Sequence, residues 1–287
     1  MSNIKPYIAL LKSRLSMTVA FSGTFGYILA PIKHEPLGIF LISLAGFLLT
    51  GAANIVNQLK EIPYDKLMKR TANRPLPTET LNSKQASIFG YILVVAALAL
   101  LSYFSWKSAA LGFLSYLLYG YVYTPLKRVG PISVFVGAFP GAFPPMIGWV
   151  AATGHFGWEP GILFAIQFFW QFPHFWAIGW FLYEDYEKAG FFMLPTGKKD
   201  KGTALQIILY TVWLIIASLL PSLGYTGQLF ITPIAAVLVF LLGLWMLFYA
   251  VKLYQLRSAK AARTLMLVSV SYITLLQFIY IFDKFLR

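Results

Sequence analysis

Residues 36–56 read PLGIFLISLAGFLLTGAANIV, a run free of Asp, Glu, Lys and Arg. A bilayer core of about 30 Å is crossed by about 20 mostly apolar residues in a helix. Lipid satisfies no backbone hydrogen bond, so a run of this kind must be helical. The same reading, carried outward along the chain, predicts nine spans over 15–30, 36–56, 86–104, 108–124, 131–153, 160–182, 204–222, 229–251 and 264–282. Composition agrees: 59% of the 287 residues are hydrophobic, 11% are charged and the mean hydropathy is +0.70. Soluble domains carry about 25% charged residues, so a soluble enzyme or a disordered chain is excluded. The unbroken apolar runs argue against a β-barrel, whose strands alternate apolar and polar positions. The chain has no cysteine, which excludes thiolate metal sites and redox thiols. The expected fold is all-α, a polytopic membrane protein with one transmembrane domain over 1–287 and a bundle of nine helices. The first span is read as a helix rather than a cleavable signal, since no small-residue cleavage site precedes a polar mature region.

The basic residues sort by connection. Lys5, Lys12 and Arg14 precede the first span, Lys60, Lys66, Lys69, Arg70, Arg74 and Lys84 follow the second, and Lys127 and Arg128 follow the fourth. Lys188, Lys198, Lys199 and Lys201 follow the sixth span, and Lys252, Arg257, Lys260 and Arg263 the eighth. The opposite face keeps only Lys33, Lys107, Lys284 and Arg287. By the positive-inside rule this places the N-terminus in the cytoplasm and the C-terminus outside. Topology and attraction to anionic lipid account for most of the formal charge of +13 without nucleic acid as a partner. Acidic residues hardly influence orientation, yet Glu61, Asp65, Glu79, Glu184, Asp185, Glu187 and Asp200 also fall on the basic face.

The first acidic group continues the opening run. Asn57, Glu61 and Asp65 stand four residues apart, a stripe that drifts only about 40° per step on a helix. Two carboxylates that close repel when ionised, and Mg²⁺ takes one or two carboxylates together with phosphate oxygens. Asn57 adds a neutral oxygen. Arg70 and Arg74 offer planar forks suited to phosphate. The ordinary alternative is a solvated loop of i,i+4 ion pairs, each contributing about 0.3–0.5 kcal/mol. Pro63 removes a helix hydrogen bond and predicts an interrupted helix end.

The second group ends the sixth span, Trp170-Gln171-Phe172-Pro173-His174-Phe175-Trp176, followed by Tyr183-Glu184-Asp185-Tyr186-Glu187. His174 is expected about 12 Å inside the helix end, and an ionisable group at that depth faces a bundle interior or a wet cavity.

These residues together resemble a known family. The Asn57/Glu61/Asp65 stripe, followed by Met68-Lys-Arg70-Thr-Ala-Asn-Arg74-Pro-Leu76, resembles the intramembrane aromatic prenyltransferases. Tyr123-Thr-Pro-Leu-Lys127-Arg128, Trp170-Gln-Phe-Pro-His174 and Asp185-Tyr-Glu-Lys-Ala-Gly190 narrow the likeness to the branch that farnesylates protohaem IX. The motifs run in order from about Lys12 to Pro195, and the last three spans match only as hydrophobic helices.

The resemblance implies an enzyme in a bacterial-type inner membrane with its site on the cytoplasmic side. It implies transfer of the farnesyl group of farnesyl diphosphate to a vinyl group of haem B, with hydration to haem O for terminal respiratory oxidases. Mg²⁺ is the implied cofactor, with Asn57, Glu61, Asp65 and Asp185 holding it. Arg70, Arg74, Lys127 and Arg128 would neutralise the diphosphate. Catalysis would rest on Asn57, Glu61, Asp65, Asp185 and His174. Gln171, Phe175, Trp176, Tyr123, Tyr186 and His155 are the candidates for haem or prenyl contact. A haem A synthase or an oxidase assembly factor would be the partner taking the product. Two departures stand out: family members often carry aspartate where this chain has Glu61 and Pro63, and Ala189 occupies the last position of the superfamily's second Asp-x-x-x-Asp motif.

Three other readings compete. A prenyltransferase acting on a different aromatic acceptor shares the diphosphate half but gives no role to the Trp170–His174 block. A transporter should carry polar groups toward both faces. A haem-binding assembly factor would not need the carboxylate stripe.

Overall fold

The computed structural model describes residues 4–287. Among these residues the chain is helical throughout, without strands. The elements are α1 (Lys5–Leu10), α2 (Ser13–Leu29), α3 (Pro36–Asp65), α4 (Ser83–Phe104), α5 (Trp106–Leu117), a π-helical turn (Leu118–Tyr123), α6 (Thr124–Leu126) and α7 (Ile132–Thr153). They continue with α8 (Trp158–Phe181), α9 (Tyr183–Lys188), α10 (Lys201–Leu219), a 3₁₀ turn (Leu220–Leu223), α11 (Pro233–Leu256) and α12 (Ala259–Leu286). Six of these segments, α3, α4, α7, α10 with its 3₁₀ turn, α11 and α12, are long and apolar enough to cross a membrane. The other three stretches expected to span are helical but fall short of that measure. α2 has 17 residues, α5 passes into the π turn after 12, and α8 is diluted by Trp, Gln, Pro and His.

Polar residues fix the helix ends. Asn82 and Gln85 form a reciprocal capping box at α4. Ser105, Asp200, Thr232 and Ser258 each accept a backbone N–H at the start of α5, α10, α11 and α12. Pro36 and Pro233 occupy first-turn positions, where the missing N–H costs nothing. Pro63 does not interrupt α3: it takes away one N–H bond, the one to the Leu59 carbonyl, but only two helical residues follow it, and the helix runs on to Asp65. The expected interruption is therefore absent, and the Asn57/Glu61/Asp65 stripe lies on one continuous helix.

Two buried apolar clusters divide the bundle. One gathers Leu10, Ile42, Leu49, Ile55, Leu93 and Leu101 with Phe143 and Ile147 of α7. The other gathers Phe172 and Trp180 of α8 with Ile207, Leu214, Val239, Met246, Leu265 and Tyr272 from the last three long helices. α2 and α7 cross at backbone contact: a Cβ added to Gly148 would lie 1.9 Å from the Gly23 carbonyl oxygen, and one added to Gly26 would lie 1.9 Å from that of Pro145. Overpacking of this kind costs roughly 1–3 kcal/mol even against movable side chains, and backbone yields less. Gly148→Ala is expected to remove most of the detergent-extractable, monodisperse protein, measured by size-exclusion chromatography. A normal yield and elution profile would contradict the crossing.

α1 and the end of α12 lie at opposite ends of the bundle. Lys284 in the last turn of α12 donates to the carbonyls of Ile28 (2.7 Å) and Ala30 (2.6 Å), where α2 ends. The connections after α3, α6 and α8 gather at the end where α2 begins. There Tyr64 packs against Phe191 (5.8 Å between centroids), Arg128 lies over Tyr64, and the Phe192 N–H donates to the Lys127 carbonyl (2.8 Å).

Candidate active site

A cavity of about 420 Å³ opens between the two apolar clusters. Asn57, Glu61, Asp65, Arg70, Arg74 and Lys127 line it together with Tyr123, Gln171, His174, Phe175 and Tyr186, and Lys127 Nζ lies 4.7 Å from the Tyr123 ring centroid. The helical spacing of the stripe brings Asn57, Glu61 and Asp65 to this wall, and all three are buried.

The cations arrive from two connections. After α3 the chain turns back, with buried Met68 and Leu76 anchoring the turn and the Thr71 hydroxyl donating to the Asp65 carbonyl (2.9 Å). Arg74 Nη1 thereby reaches Asp65 Oδ2 at 2.7 Å. Asp65 is 0% exposed, and its Oδ1 is buried without a hydrogen-bond partner. From the connection after α6, Lys127 Nζ reaches Glu61 Oε1 at 2.7 Å. Burial works against the Lys127 ammonium, but Glu61 beside it, together with Tyr119 and Tyr186, raises its pKa above the ordinary lysine value.

The π turn orients Asn57. The Thr124 hydroxyl donates to the Tyr119 carbonyl five residues back (2.8 Å), which in the widened turn also accepts the Thr124 backbone N–H. Its one hydrogen being spent there, Thr124 Oγ1 accepts from Asn57 Nδ2 at 3.1 Å. Asn57 Oδ1 is thus turned the other way, where Lys12 Nζ approaches to 3.4 Å. Lys12 was legible in the sequence only as a topological charge. It holds a left-handed backbone conformation (φ 48°) between α1 and α2 and lines the cavity. Burial, with Arg74 and Lys127 nearby, lowers its pKa to about 7.

Deeper in, α8 and α7 fit through small residues. Gly141 leaves the space that Gln171 fills, for an added Cβ there would stand 2.5 Å from Gln171 Nε2; Gly137 does the same for the Tyr123 ring at 2.6 Å. His174 stacks on Trp170 (4.4 Å, 17°), and its Nδ1 lies 2.8 Å from Ser269 Oγ of α12. Gly141→Ala is expected to turn the Gln171 amide out of place and lower turnover by roughly 10-fold or more, since a displacement of about 1 Å can cost 100-fold. Steady-state kinetics on purified protein would show it, and unchanged kinetics would remove Gln171 from the site.

Four expected site residues stand apart from the cavity. Trp176, one helical step beyond Phe175, faces away and packs against Phe172 and Tyr210. His155 is exposed at the far end of the bundle, between α7 and α8. Arg128 is exposed and donates to the Tyr64 hydroxyl at 2.6 Å. Asp185, half-buried on α9, lies at the same end of the bundle as Asp65 but outside the cavity wall, where its neighbour Tyr186 stands. Among the described residues no three His, Asp or Glu side chains come together to enclose a metal ion by themselves. The donors that do fit a hard cation are Glu61, Asp65 with its unpartnered Oδ1, and Asn57 Oδ1. This is a partial set of the kind Mg²⁺ completes with phosphate oxygens and water.

A membrane-type helical bundle whose cavity joins paired carboxylates and cations to an aromatic chamber belongs to the class of intramembrane prenyl-transferring enzymes. Residues 19–277 match the UbiA prenyltransferase family, and the chain belongs to that family. It is 60% identical over 279 residues to a Flavobacterium johnsoniae protein named protoheme IX farnesyltransferase, covering 96% of this chain and 93% of that one. A Cytophaga hutchinsonii protein of the same name is 47% identical, covering 99% of both chains. Among solved structures, one of digeranylgeranylglyceryl phosphate synthase superposes with a TM-score of 0.81 at 18% identity over 99% of both chains. A UbiA homolog from Archaeoglobus fulgidus, solved with DMAPP and Mg²⁺, gives 0.68 at 16% identity over 96% of this chain and 98% of that one. The chain shares their fold, and it is a prenyltransferase.

Proposed function

We propose that this enzyme transfers the farnesyl group of farnesyl diphosphate to a vinyl group of haem B, with hydration to haem O, in a bacterial inner membrane. The observation that carries the reading is the single cavity, in which a stripe of carboxylates and cations adjoins a chamber lined by Gln171, His174, Phe175 and Tyr123. The names of the relatives and the Trp170–His174 block favour haem over other aromatic acceptors. The nine helical stretches are read as nine spans with the N-terminus and the site cytoplasmic, the side to which the basic connections belong. A haem A synthase or an oxidase assembly factor is the partner this product calls for.

Glu61, Asp65 and Asn57 would hold Mg²⁺. When bound, the ion supplies Lewis-acid stabilisation of the diphosphate leaving group. Arg70, Arg74 and Lys127 bind the remaining diphosphate charge, preorganised in a buried wall where such contacts count for more than in water. The allylic C–O bond breaks, the vinyl π electrons form the new C–C bond, and diphosphate departs. Tyr123, Phe175 and Tyr186 keep the site apolar and present π faces to the allylic cation, a contact worth about 2 kcal/mol when desolvated. Water then adds to the cation left beside the porphyrin ring, and its proton is released to water at the inner mouth. Early exclusion of water from the chamber prevents hydrolysis of the farnesyl cation.

The test is incubation of the purified enzyme in lipid with haem B, farnesyl diphosphate and Mg²⁺, with the pigment analysed by mass. Farnesylated, hydrated haem is expected. Transfer to another aromatic acceptor with haem B left untouched would replace the reading.

A further inference from the structure

We infer that Ser269 is a positioning residue, holding His174 with its ring hydrogen on Nδ1 and its lone pair on Nε2, toward the haem acceptor. Only what the lone pair meets depends on the haem reading; the placement of the hydrogen stands on geometry. Ser269 Oγ lies 2.7 Å from the Met266 carbonyl and 2.8 Å from His174 Nδ1. A carbonyl only accepts, so at that separation the single hydroxyl hydrogen lies between Ser269 and Met266. Were it turned to the imidazole, two oxygen acceptors would face each other at 2.7 Å with no hydrogen between them. Ser269 Oγ therefore accepts from Nδ1–H, and in the neutral ring Nε2 is left as the base.

The ring is fixed by a second tie between the same two helices. Trp170, stacked on His174, donates its Nε1–H to the Ser269 carbonyl at 2.6 Å. Trp170 and His174 of α8 are thus both tied to Ser269 of α12. His174 lines the cavity, and its Nε2 has no protein partner among the described residues. A neutral imidazole nitrogen whose partner nitrogen is hydrogen-bonded is the form that ligates iron or accepts a proton. The last span, apolar in its sequence, thus contributes the group that sets the chemistry of the sixth.

The chain has three histidines, His34, His155 and His174, which makes the state of the ring directly observable. The experiment is nitrogen NMR of the full-length, histidine-labelled protein in lipid at alkaline pH, with His174 assigned by the signal lost in His174→Gln. The wild type is expected to show a protonated Nδ1 and an unprotonated Nε2. Ser269→Ala is expected to give a mixture or the opposite tautomer, and Ser269→Thr to restore the wild-type pattern. Turnover should follow, falling roughly 10-fold in Ser269→Ala with the farnesyl diphosphate KM unchanged and recovering in Ser269→Thr. A wild-type His174 carrying its hydrogen on Nε2 overturns the inference with no variant needed, and so does an unaltered tautomer in folded Ser269→Ala. Full haem turnover in His174→Ala would instead defeat the acceptor reading of the cavity while leaving the tautomer result intact.

Discussion

Asp65→Ala is expected to abolish haem farnesylation, with a fall of at least about 100-fold in kcat. Asp65 is fully buried, carries one oxygen without a partner and binds Arg74 with the other. The substitution removes a cation ligand and also leaves the Arg74 guanidinium without its partner at the diphosphate wall. Breaking a buried ion pair by removing one member costs about 3–5 kcal/mol, so folding must be separated from catalysis. Asp65→Asn serves that purpose, since it keeps the shape and a hydrogen-bond acceptor for Arg74 while losing the charge. Both variants should be inactive, whereas Asp65→Asn should still elute as folded protein. Substantial haem farnesylation by folded Asp65→Asn, measured by pigment mass analysis of cells or membranes, would take Asp65 out of the chemistry.

His174→Ala is expected to lower haem turnover by roughly 100-fold while leaving farnesyl diphosphate binding near the wild-type value. The reason is spatial. The diphosphate wall is built by α3 and by the connections after α3 and α6, whereas His174 belongs to α8 and is tied to α12. Calorimetric titration with farnesyl diphosphate and Mg²⁺ separates the two halves. Equal loss of diphosphate affinity and turnover would mean that His174 supports the whole cavity rather than the acceptor end.

Much of this architecture was legible in the chain. Apolar runs located the helical stretches because lipid permits no other backbone, and the four-residue spacing of Asn57, Glu61 and Asp65 placed them on one wall. The basic connections named Arg70, Arg74 and Lys127, which the fold brings to that wall. On α8 the polar side chains Gln167, Gln171 and His174 share one face, to which Phe175 belongs and Trp176 does not, so that Phe175 lines the cavity while Trp176 packs on Tyr210. Facing direction was harder to read elsewhere. Lys12 looked like one more inner-face charge, since nothing local announces a left-handed residue that folds its side chain inward. Ser269 was silent for the same reason, being a single hydroxyl in a hydrophobic span whose partners lie about a hundred positions away. Asp185 was assigned through its motif, and motif order does not say which way a short helix such as α9 turns its residues. Pro63 misled in the other direction, because one lost N–H bond two residues before the helix end does not break the register that carries Asp65.

The central claim is that one cavity serves both the diphosphate and the haem. Crosslinking tests it most directly. A photoreactive farnesyl diphosphate analogue with its probe on the terminal isoprene is bound to the enzyme in lipid with Mg²⁺, and labelled peptides are mapped with and without haem B. The account predicts labelling of cavity residues from α7, α8 or α12, with haem B shifting or suppressing that labelling. Labelling confined to the lipid-facing surface, or a pattern that haem B leaves unchanged at saturation, would contradict it.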